Sequence, residues 1–247
     1  MIRIAMFSGP RHRSTALMRA WGNRTDTMVW DEPFYGFYLQ QTGIDHPMRE
    51  IVLAAVETDW KKVAARCSSF ESTRKDIFFQ KHMTHHMLPN VDLDWLEDVT
   101  CCFLTRDPTK VLQSYRKRRD AISEADLGYT RAAELFEFAS RHAGKTPAVI
   151  DADDIARDPE GVLRLLCQHI GVEFEPAMLS WEAGPRPTDG VWGPHWYRDL
   201  WQSTGFGPRP ADTANPPEDL PEDLATLAAL CRPHYEQLRH HNLAGHA

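Results

Sequence analysis

An arginine-rich turn near the N-terminus carries residue types that bind anions. Residues 8–15, SGPRHRST, hold the guanidinium groups of Arg11 and Arg13, followed by the hydroxyls of Ser14 and Thr15. A short apolar run precedes this turn and a predicted helix follows it. The N–H groups at a helix start attract anions, so the turn predicts a site for a phosphate or similar tetrahedral group. The alternative is a solvated basic turn. It is not a Walker A loop, because the second glycine and the lysine are missing.

A second arginine follows the apolar run VTCCFLT, at Val99–Thr105. Asp107 and Pro108 come next and are typical of a helix start, with Asp107 as the N-cap. Arg106 would therefore stand at the end of a strand, where it could contact a phosphate with two nitrogens. Ser114 lies about two turns along the helix and could share the ligand. The alternative is that Arg106 pairs with a carboxylate and Ser114 is a surface hydroxyl.

Alternating strands and helices must position these two turns. Apolar runs predict strands at Ile2–Phe7, Thr27–Trp30, Ile77–Gln80, Val99–Thr105 and Ala148–Ile150. Periodic apolar positions and cap residues predict helices over residues 13–22, 108–118, 130–142, 159–171 and about 221–240. Such alternation favours an α/β fold with a mainly parallel sheet, in which ligands bind at the carboxyl ends of the strands. We expect one domain over residues 1–247, with an irregular Pro/Gly/Trp-rich segment at 184–217.

Composition narrows the classes of protein and ligand. The chain has 247 residues, 42% of them hydrophobic, and its 28 basic and 35 acidic side chains give a net charge of −7. This content favours a folded core over a disordered chain, and the apolar runs are too short to span a membrane. The acidic balance argues against nucleic-acid binding, which depends on surplus Lys and Arg. A single small anion needs only a local positive field.

Cysteine content and the N-terminus indicate the compartment. The five cysteines are an odd number without a C-x-x-C pair, which is typical of buried free thiols in a reducing environment. The N-terminus has no long apolar stretch followed by a cleavage site, so no secretory signal is predicted. The cytoplasm is the expected location.

The first turn resembles the 5′-phosphosulfate loop of sulfotransferases, which use 3′-phosphoadenosine 5′-phosphosulfate as the sulfuryl donor. Arg11 matches the basic residue of that loop, and Ser14 and Thr15 match its two hydroxyls. His12 and Arg13 stand where the family usually has Ser and Gly. The resemblance implies that Arg11 and the backbone of residues 12–15 hold the phosphosulfate.

The second turn is similar to the other sulfotransferase signature, Arg-Asp-Pro with a Ser eight residues after the Arg. The resemblance implies that Arg106 and Ser114 bind the donor's 3′-phosphate. It also implies a three-layer, P-loop-NTPase-like fold and a small-molecule acceptor with a hydroxyl or amine. No metal is expected, and the oligomeric state is left open.

Two residues are candidates for the general base that takes the acceptor's proton. Glu32 lies in Glu-Pro-Phe, a motif similar to that of bacterial and Golgi-type sulfotransferases, where the glutamate is regarded as the base. His82 follows Lys81, whereas cytosolic members of the family have Lys-x-His. We rank Glu32 first, with an ion pair to Arg11 or Arg13 as its alternative role. Lys81 is expected to stabilise charge on the transferred group.

Two other functions stay open at this point. One is a P-loop kinase of a nucleoside or small metabolite, and the other is a non-catalytic nucleotide-binding protein of the same fold. A zinc site at His82–His86 is disfavoured, because no Cys or acidic pair completes it. We expect a solvated helix face for the basic run at residues 116–119 and a solvated loop for Asp151, Asp153 and Asp154.

The aromatic segment near the C-terminus is expected to pack on the protein. It contains Trp192, Trp196, Tyr197, Trp201 and Phe206. Sulfotransferases often end with a basic, glycine-containing loop over the 3′-phosphate, and that loop is missing here. Residues 203–206 (STGF), together with Arg198 or Arg209, are its predicted substitute.

Overall fold

The computed structural model describes residues 1–72, 74–116, 121–207 and 219–246. Within these ranges the sheet has five strands, at the positions that the apolar runs predicted. They are β1 (Ile2–Ser8), β2 (Thr27–Asp31), β3 (Ile77–Met83), β4 (Thr100–Thr105) and β5 (Ala148–Asp151). Differences from the prediction are confined to one to three residues at the strand ends.

All strand pairings in this sheet are parallel, in the order β2-β3-β1-β4-β5. The register pairs Ser8 with Met83 on one side and with Leu104 on the other, while Asp31 pairs with Lys81. The carboxyl ends of β1 and β4 are therefore neighbours. Those of β2 and β3 lie beside them along the same edge.

Helices connect and flank these strands. In chain order they are α1 (Ser14–Gly22), α2 (Tyr35–Thr42), α3 (Arg49–Ala55), α4 (Trp60–Ser69), α5 (Pro108–Tyr115), α6 (Glu124–Leu127), α7 (Tyr129–His142), α8 (Ala152–Arg157), α9 (Pro159–Ile170), α10 (Gly193–Trp196), α11 (Arg198–Trp201) and α12 (Glu222–Arg239). None of the helices in the described ranges has the length and apolarity needed to cross a bilayer.

The sheet lies between two apolar layers, as the predicted three-layer α/β class requires. On one face, Leu17 and Trp21 of α1 pack with Leu166 of α9 and with the aromatic segment around Tyr197. On the other face, α7 contributes Phe136 and its apolar neighbours, and α4 and α12 complete the layer. Alternate residues of each strand supply the two layers, because side chains along a strand point to opposite faces.

The predicted helix starts at Pro108 and Pro159 are confirmed, whereas two loop predictions need correction. Asp107 and Asp158 cap α5 and α9, accepting N–H groups of Thr109 and Gly161. Asp151–Asp154 is not a solvated loop, because Asp151 is buried and caps α8 with a hydrogen bond from the Asp153 N–H. The predicted irregular segment contains the one-turn helices α10 and α11. Its part beyond residue 207, and most of the basic run at 116–119, lie outside the described residues.

Candidate active site

The turn between β1 and α1 has an unusual backbone. Arg11 and Arg13 both have φ of 63°, in the left-handed region that residues with a side chain seldom occupy. The helix start at Ser14 has neither a side-chain cap nor an acidic residue in its first turn. Since the first N–H groups of a helix have no partner within the helix, this start is suited to an anionic ligand. Strained backbone of this kind is frequent at ligand-binding turns.

His12 fixes the turn from inside. Its side chain is buried, and its Nδ1 lies 3.0 Å from both the Gly9 nitrogen and the Leu104 carbonyl oxygen. Its Nε2 lies 3.2 Å from the hydroxyl of Tyr129, which donates to the Arg106 carbonyl. Burial lowers the pKa of His12 to about 3, so the ring is neutral. The His12 imidazole therefore joins the two turns, and only its backbone is left for an anion.

Gly9 is required at this point by close packing. A Cβ there would lie 2.6 Å from the Leu127 carbonyl oxygen and 2.9 Å from the His12 ring. A side chain at residue 9 would therefore push the turn away from the end of α6.

The two arginine turns contact each other. The Arg11 Nε donates to the Ser114 Oγ at 3.0 Å, and the Arg106 Nη1 donates to the Arg11 carbonyl at 3.0 Å. The buried Nε of Arg106 makes no hydrogen bond within the described ranges, although it lies 3.4 Å from Asp153. Arg106 therefore lies between the main chain of the first turn and the Asp153 carboxylate.

Asp153 balances part of this positive charge. Its carboxylate lies 2.7 Å from the Lys110 Nζ and faces Arg106. Burial by itself would raise the pKa of Asp153, but Lys110 and Arg106 outweigh that effect and lower it. Asp153 is therefore ionised. Arg106 thus has the carboxylate partner that was its alternative role, and it also contacts the first turn.

A buried lysine lies between two carboxylates at the ends of β2 and β3. The Lys81 Nζ is 2.9 Å from Asp31 and 2.5 Å from Glu32, and the lysine side chain is 1% exposed. Burial by itself would lower the pKa of Lys81, but the two carboxylates outweigh it and raise the pKa. Burial raises the pKa of Glu32, with Lys81 opposing it. Glu32 pairs with Lys81, whereas the sequence suggested Arg11 or Arg13 as its alternative partner.

Glu32 itself is held in a rare conformation. Its φ of 42° lies in the left-handed region, and its N–H donates to the Lys81 carbonyl. Lys81 contacts Oε1, while Oε2 lies 4.0 Å from the Nδ1 of His86. With its side chain 12% exposed, Glu32 is the most accessible of the three charged groups in the cluster. Its proton affinity and its exposure suit a general base.

Tyr197 completes the cluster from the aromatic segment. Its hydroxyl donates to Asp31 at 2.7 Å and lies 3.1 Å from the Lys81 Nζ. Trp192 donates its Nε1–H to the same hydroxyl, and the Gly190 N–H reaches Asp31 at 3.3 Å. Sequence reasoning missed Asp31 and Tyr197 as site residues. Only position could have pointed to them. Asp31 precedes Glu32, and the aromatic segment that carries Tyr197 was expected to pack on the protein.

His82 is on the other face of the sheet from Lys81. Its ring stacks on Phe7 at 5.0 Å and lies among Phe34 and Trp95, with Nε2 3.1 Å from the Gln80 side-chain oxygen. Burial lowers the pKa of His82 to about 3. Consecutive residues of a strand point in opposite directions, so His82 does not share the cluster with Glu32. The sequence made His82 a second candidate for the general base, and its place on the opposite face, buried among aromatic rings, argues against that role.

Two remaining expectations concern metals and the C-terminal loop. The described part of the chain holds no group of three His, Cys, Asp or Glu residues placed to bind a metal ion.

Arg198 donates to the Pro194 carbonyl, and Ser203 accepts from the Trp181 indole. Arg209 lies outside the described residues, so the substitute for the basic loop stays a prediction.

Comparison with known proteins gives a family. The model of the family described as Sulfotransferase domain matches residues 2–240. Two proteins of Arabidopsis thaliana, Branched-chain-amino-acid aminotransferase-like proteins 2 and 1, are each 35% identical over 238 residues, which is 96% of this chain. That stretch is 41% and 42% of their own lengths, so the chain spans about two fifths of these curated relatives.

Solved structures share the fold. The sulfotransferase domain from the curacin biosynthetic pathway is 16% identical, with a TM-score of 0.52 over 94% of this chain and 97% of that chain. The sulfotransferase domain of the Synechococcus PCC 7002 olefin synthase is 17% identical, with a TM-score of 0.55 over 93% and 94%. A sulfotransferase from Alicyclobacillus acidocaldarius is 16% identical, with a TM-score of 0.53 over 99% and 98%.

At 16–17% identity these structures show a shared fold alone, and they confirm the sulfotransferase architecture that the resemblance of the two turns implied. The family itself follows from the match that runs from β1 to the end of α12. The chain therefore belongs to the sulfotransferase family of group-transferring enzymes.

Proposed function

We propose that the chain transfers a sulfuryl group from 3′-phosphoadenosine 5′-phosphosulfate to a hydroxyl or amine of a small-molecule acceptor. One observation carries the proposal. The two arginine turns meet through the Arg11–Ser114 and Arg106–Arg11 hydrogen bonds, at the sheet edge that also bears the Glu32–Lys81 pair. A cationic cradle beside a buried acid–base pair is what transfer from an anionic donor needs.

The donor would be held by the β1 and β4 turns. Arg106 and Ser114 would take the 3′-phosphate, since both lie beside Arg11: Arg106 donates to its carbonyl, and the Ser114 hydroxyl accepts from its side chain. Arg11, with the backbone of residues 12–15 and the hydroxyls of Ser14 and Thr15, would take the phosphosulfate. When bound, the donor supplies a sulfuryl group attached to a phosphate that serves as the leaving group.

Glu32 would accept the proton of the attacking acceptor. The acceptor's O–H or N–H bond breaks as its oxygen or nitrogen bonds to the donor's sulfur, and the bond from that sulfur to the leaving phosphate breaks. The proton moves to Oε2, the oxygen that Lys81 does not contact. Lys81 keeps its proton, because the two neighbouring carboxylates raise its pKa. It would then offset negative charge beside the reacting group.

Calorimetry tests the donor assignment. We expect 3′-phosphoadenosine 5′-phosphate to bind the protein, and ADP with Mg²⁺ to bind far more weakly because it has no 3′-phosphate for Arg106. No binding up to about 1 mM, where a binding free energy would be only about −4 kcal/mol, would refute the assignment. Preference for ADP would favour the kinase.

Transfer is tested with donor carrying a radioactive sulfuryl group and a panel of phenols, alcohols and amines. Labelled product is expected with at least one acceptor class. Tight binding of the nucleotide with neither transfer nor donor hydrolysis would favour the non-catalytic alternative.

A further inference from the structure

We infer that Tyr197 is a positioning residue, which holds the Asp31–Lys81–Glu32 cluster in the arrangement where Glu32 can take a proton. This inference rests on the proposed role of Glu32. Tyr197 comes from the aromatic segment, 165 residues along the chain from Glu32, and its hydroxyl is the point where four side chains meet.

The hydrogen bonds around Tyr197 have a definite direction. The hydroxyl has one proton, and the short 2.7 Å contact gives that proton to Asp31. Lys81 and the Trp192 indole donate to the same oxygen, at 3.1 and 3.0 Å. Its contact with Glu32 Oε1, at 3.3 Å, is the longest of the four.

Asp31 depends on this hydroxyl. Its Oδ2 accepts from Tyr197 and, at 3.3 Å, from the Gly190 N–H, while its Oδ1 accepts from Lys81. Its side chain is only 2% exposed, so little water can replace a lost donor. Without the tyrosine proton, Asp31 would draw the Lys81 ammonium toward itself and away from Glu32.

A buried anchor fixes the segment that carries Tyr197. Asp189 accepts from Arg19 of α1 at 2.7 Å, from the Trp201 indole at 2.9 Å and from the Arg186 N–H at 2.9 Å. The Arg19 and Asp189 side chains are 2% and 5% exposed. The segment is thus tied to the helix whose start forms the first arginine turn, which places Tyr197 on a fixed support.

The proton affinity of Glu32 reports on this network. The ionisable groups that face Glu32 are Asp31, Lys81, His86, Tyr35 and Tyr197. Burial raises the pKa of Glu32 and Asp31 adds to the effect, while Lys81 opposes it. Loss of the Tyr197 hydroxyl would draw Lys81 toward Asp31 and so should raise the pKa of Glu32, whereas loss of the Asp31 charge should lower it.

The experiment compares Tyr197→Phe with Tyr235→Phe. Tyr235 is a matched control, since it is also buried and its hydroxyl also donates to a buried carboxylate, Asp151, at 3.1 Å. For Tyr197→Phe we expect the acid limb of the rate–pH profile to move up by about half to one pH unit, the effect of one hydrogen bond. Affinity for 3′-phosphoadenosine 5′-phosphate should not change, and Tyr235→Phe should leave the limb in place.

Asp31→Asn is a second variant, and it should shift the acid limb of the rate–pH profile in the opposite direction. It removes a negative charge beside Glu32, so the acid limb should move down in pH. Carboxyl ¹³C NMR of glutamate-labelled protein measures the Glu32 titration directly, with Glu32→Gln identifying the signal. Thermal melts of both variants show whether they are folded.

The outcomes separate this inference from the proposed function. An unchanged Glu32 titration in folded Tyr197→Phe, or a loss of rate that is equal at every pH, would overturn the positioning role. A displaced titration in a protein that transfers no sulfuryl group would support the positioning role and refute the catalytic one.

Discussion

The two halves of the candidate site handle charge in opposite ways. In the β1 and β4 turns, Arg106 is 13% exposed and donates to a main-chain carbonyl. It shares the Asp153 carboxylate with Lys110, so two cations meet one carboxylate and positive charge is left for a ligand. At the ends of β2 and β3, Lys81 is 1% exposed and lies within hydrogen-bond distance of both Asp31 and Glu32. We call these the donor half and the proton half.

The contrast teaches what each half is suited for. A partly exposed cation that shares its carboxylate partner with a second cation gains most from a ligand that brings negative charge. A buried cluster that already balances most of its own charge gains little from another ion, but its proton affinities are sensitive to every neighbour. Variants in the donor half should therefore change binding, and variants in the proton half should change turnover.

Glu32→Gln should have the largest effect. Loss of a general base typically costs about 10²- to 10⁴-fold in rate, and the neutral amide keeps the size of the side chain. We expect the rate constant for transfer in single-turnover assays to fall by that amount, with unchanged calorimetric affinity for 3′-phosphoadenosine 5′-phosphate. Glu50→Gln on α3, where the carboxylate is 83% exposed, is the control and should behave as wild type. Weakened nucleotide binding by Glu32→Gln would break the division into halves.

Asp189→Ala should have the next largest effect, on stability. It leaves Arg19 buried without its carboxylate and removes the acceptor of the Trp201 indole. Breaking a buried ion pair in this way costs about 3–5 kcal/mol, so the free energy of unfolding in urea should fall by that amount. Because the anchor supports Tyr197, kcat should fall more than nucleotide affinity.

The control for Asp189→Ala is an exposed ion pair. Glu160 and Arg164, on α9, are both about half exposed, and Glu160→Ala should cost no more than about 0.5 kcal/mol. Equal destabilisation by the two variants would mean that the buried anchor contributes no more than a surface pair.

The sequence was sufficient for most of the frame. Apolar runs such as VTCCFLT predict strands because a parallel sheet buries both faces, and Asp-Pro predicts a helix start at Pro108 because both residues suit it locally. The donor half is encoded in the same way, since Arg11 and Arg106 each lie directly after a strand. The helices α2, α3, α4, α6 and α8 were missed. All but the ten-residue α4 have eight residues or fewer, and so short a stretch shows little periodicity and depends on tertiary packing.

The proton half could be predicted only in part. Glu32 and Lys81 stand at strand ends, but their partner Tyr197 comes from a segment whose Pro, Gly and Trp content predicts no regular structure. Nothing local relates Tyr197 to Asp31, 166 residues away in the chain. His82 was named as a candidate base from its position near a strand end, but its side chain points to the face opposite Lys81.

Arg106→Ala tests the donor half. Loss of a charge-assisted hydrogen bond costs about 1.5–3 kcal/mol, so affinity for 3′-phosphoadenosine 5′-phosphate should fall about 10- to 150-fold, with kcat at saturating donor retained. Lys110→Ala is the matched control, because Lys110 also pairs with Asp153 but is 54% exposed. Its effect should be about twofold. Equal affinity of wild type and Arg106→Ala in calorimetry would refute the donor assignment.

Ser114→Ala should have the smallest effect and gives the finest test of the boundary between the halves. The Ser114 hydroxyl accepts from Arg11 and, in the proposal, donates to the 3′-phosphate. A single neutral hydrogen bond contributes about 0.5–1.5 kcal/mol, so nucleotide affinity should fall about two- to tenfold in calorimetry while kcat stays unchanged. Ser69→Ala, which removes a hydroxyl bonded only within α4, should have no effect on affinity. If Ser114→Ala instead lowered kcat at full affinity, the hydroxyl would act on the reaction through Arg11, and the boundary between the halves would have to move to include the first turn.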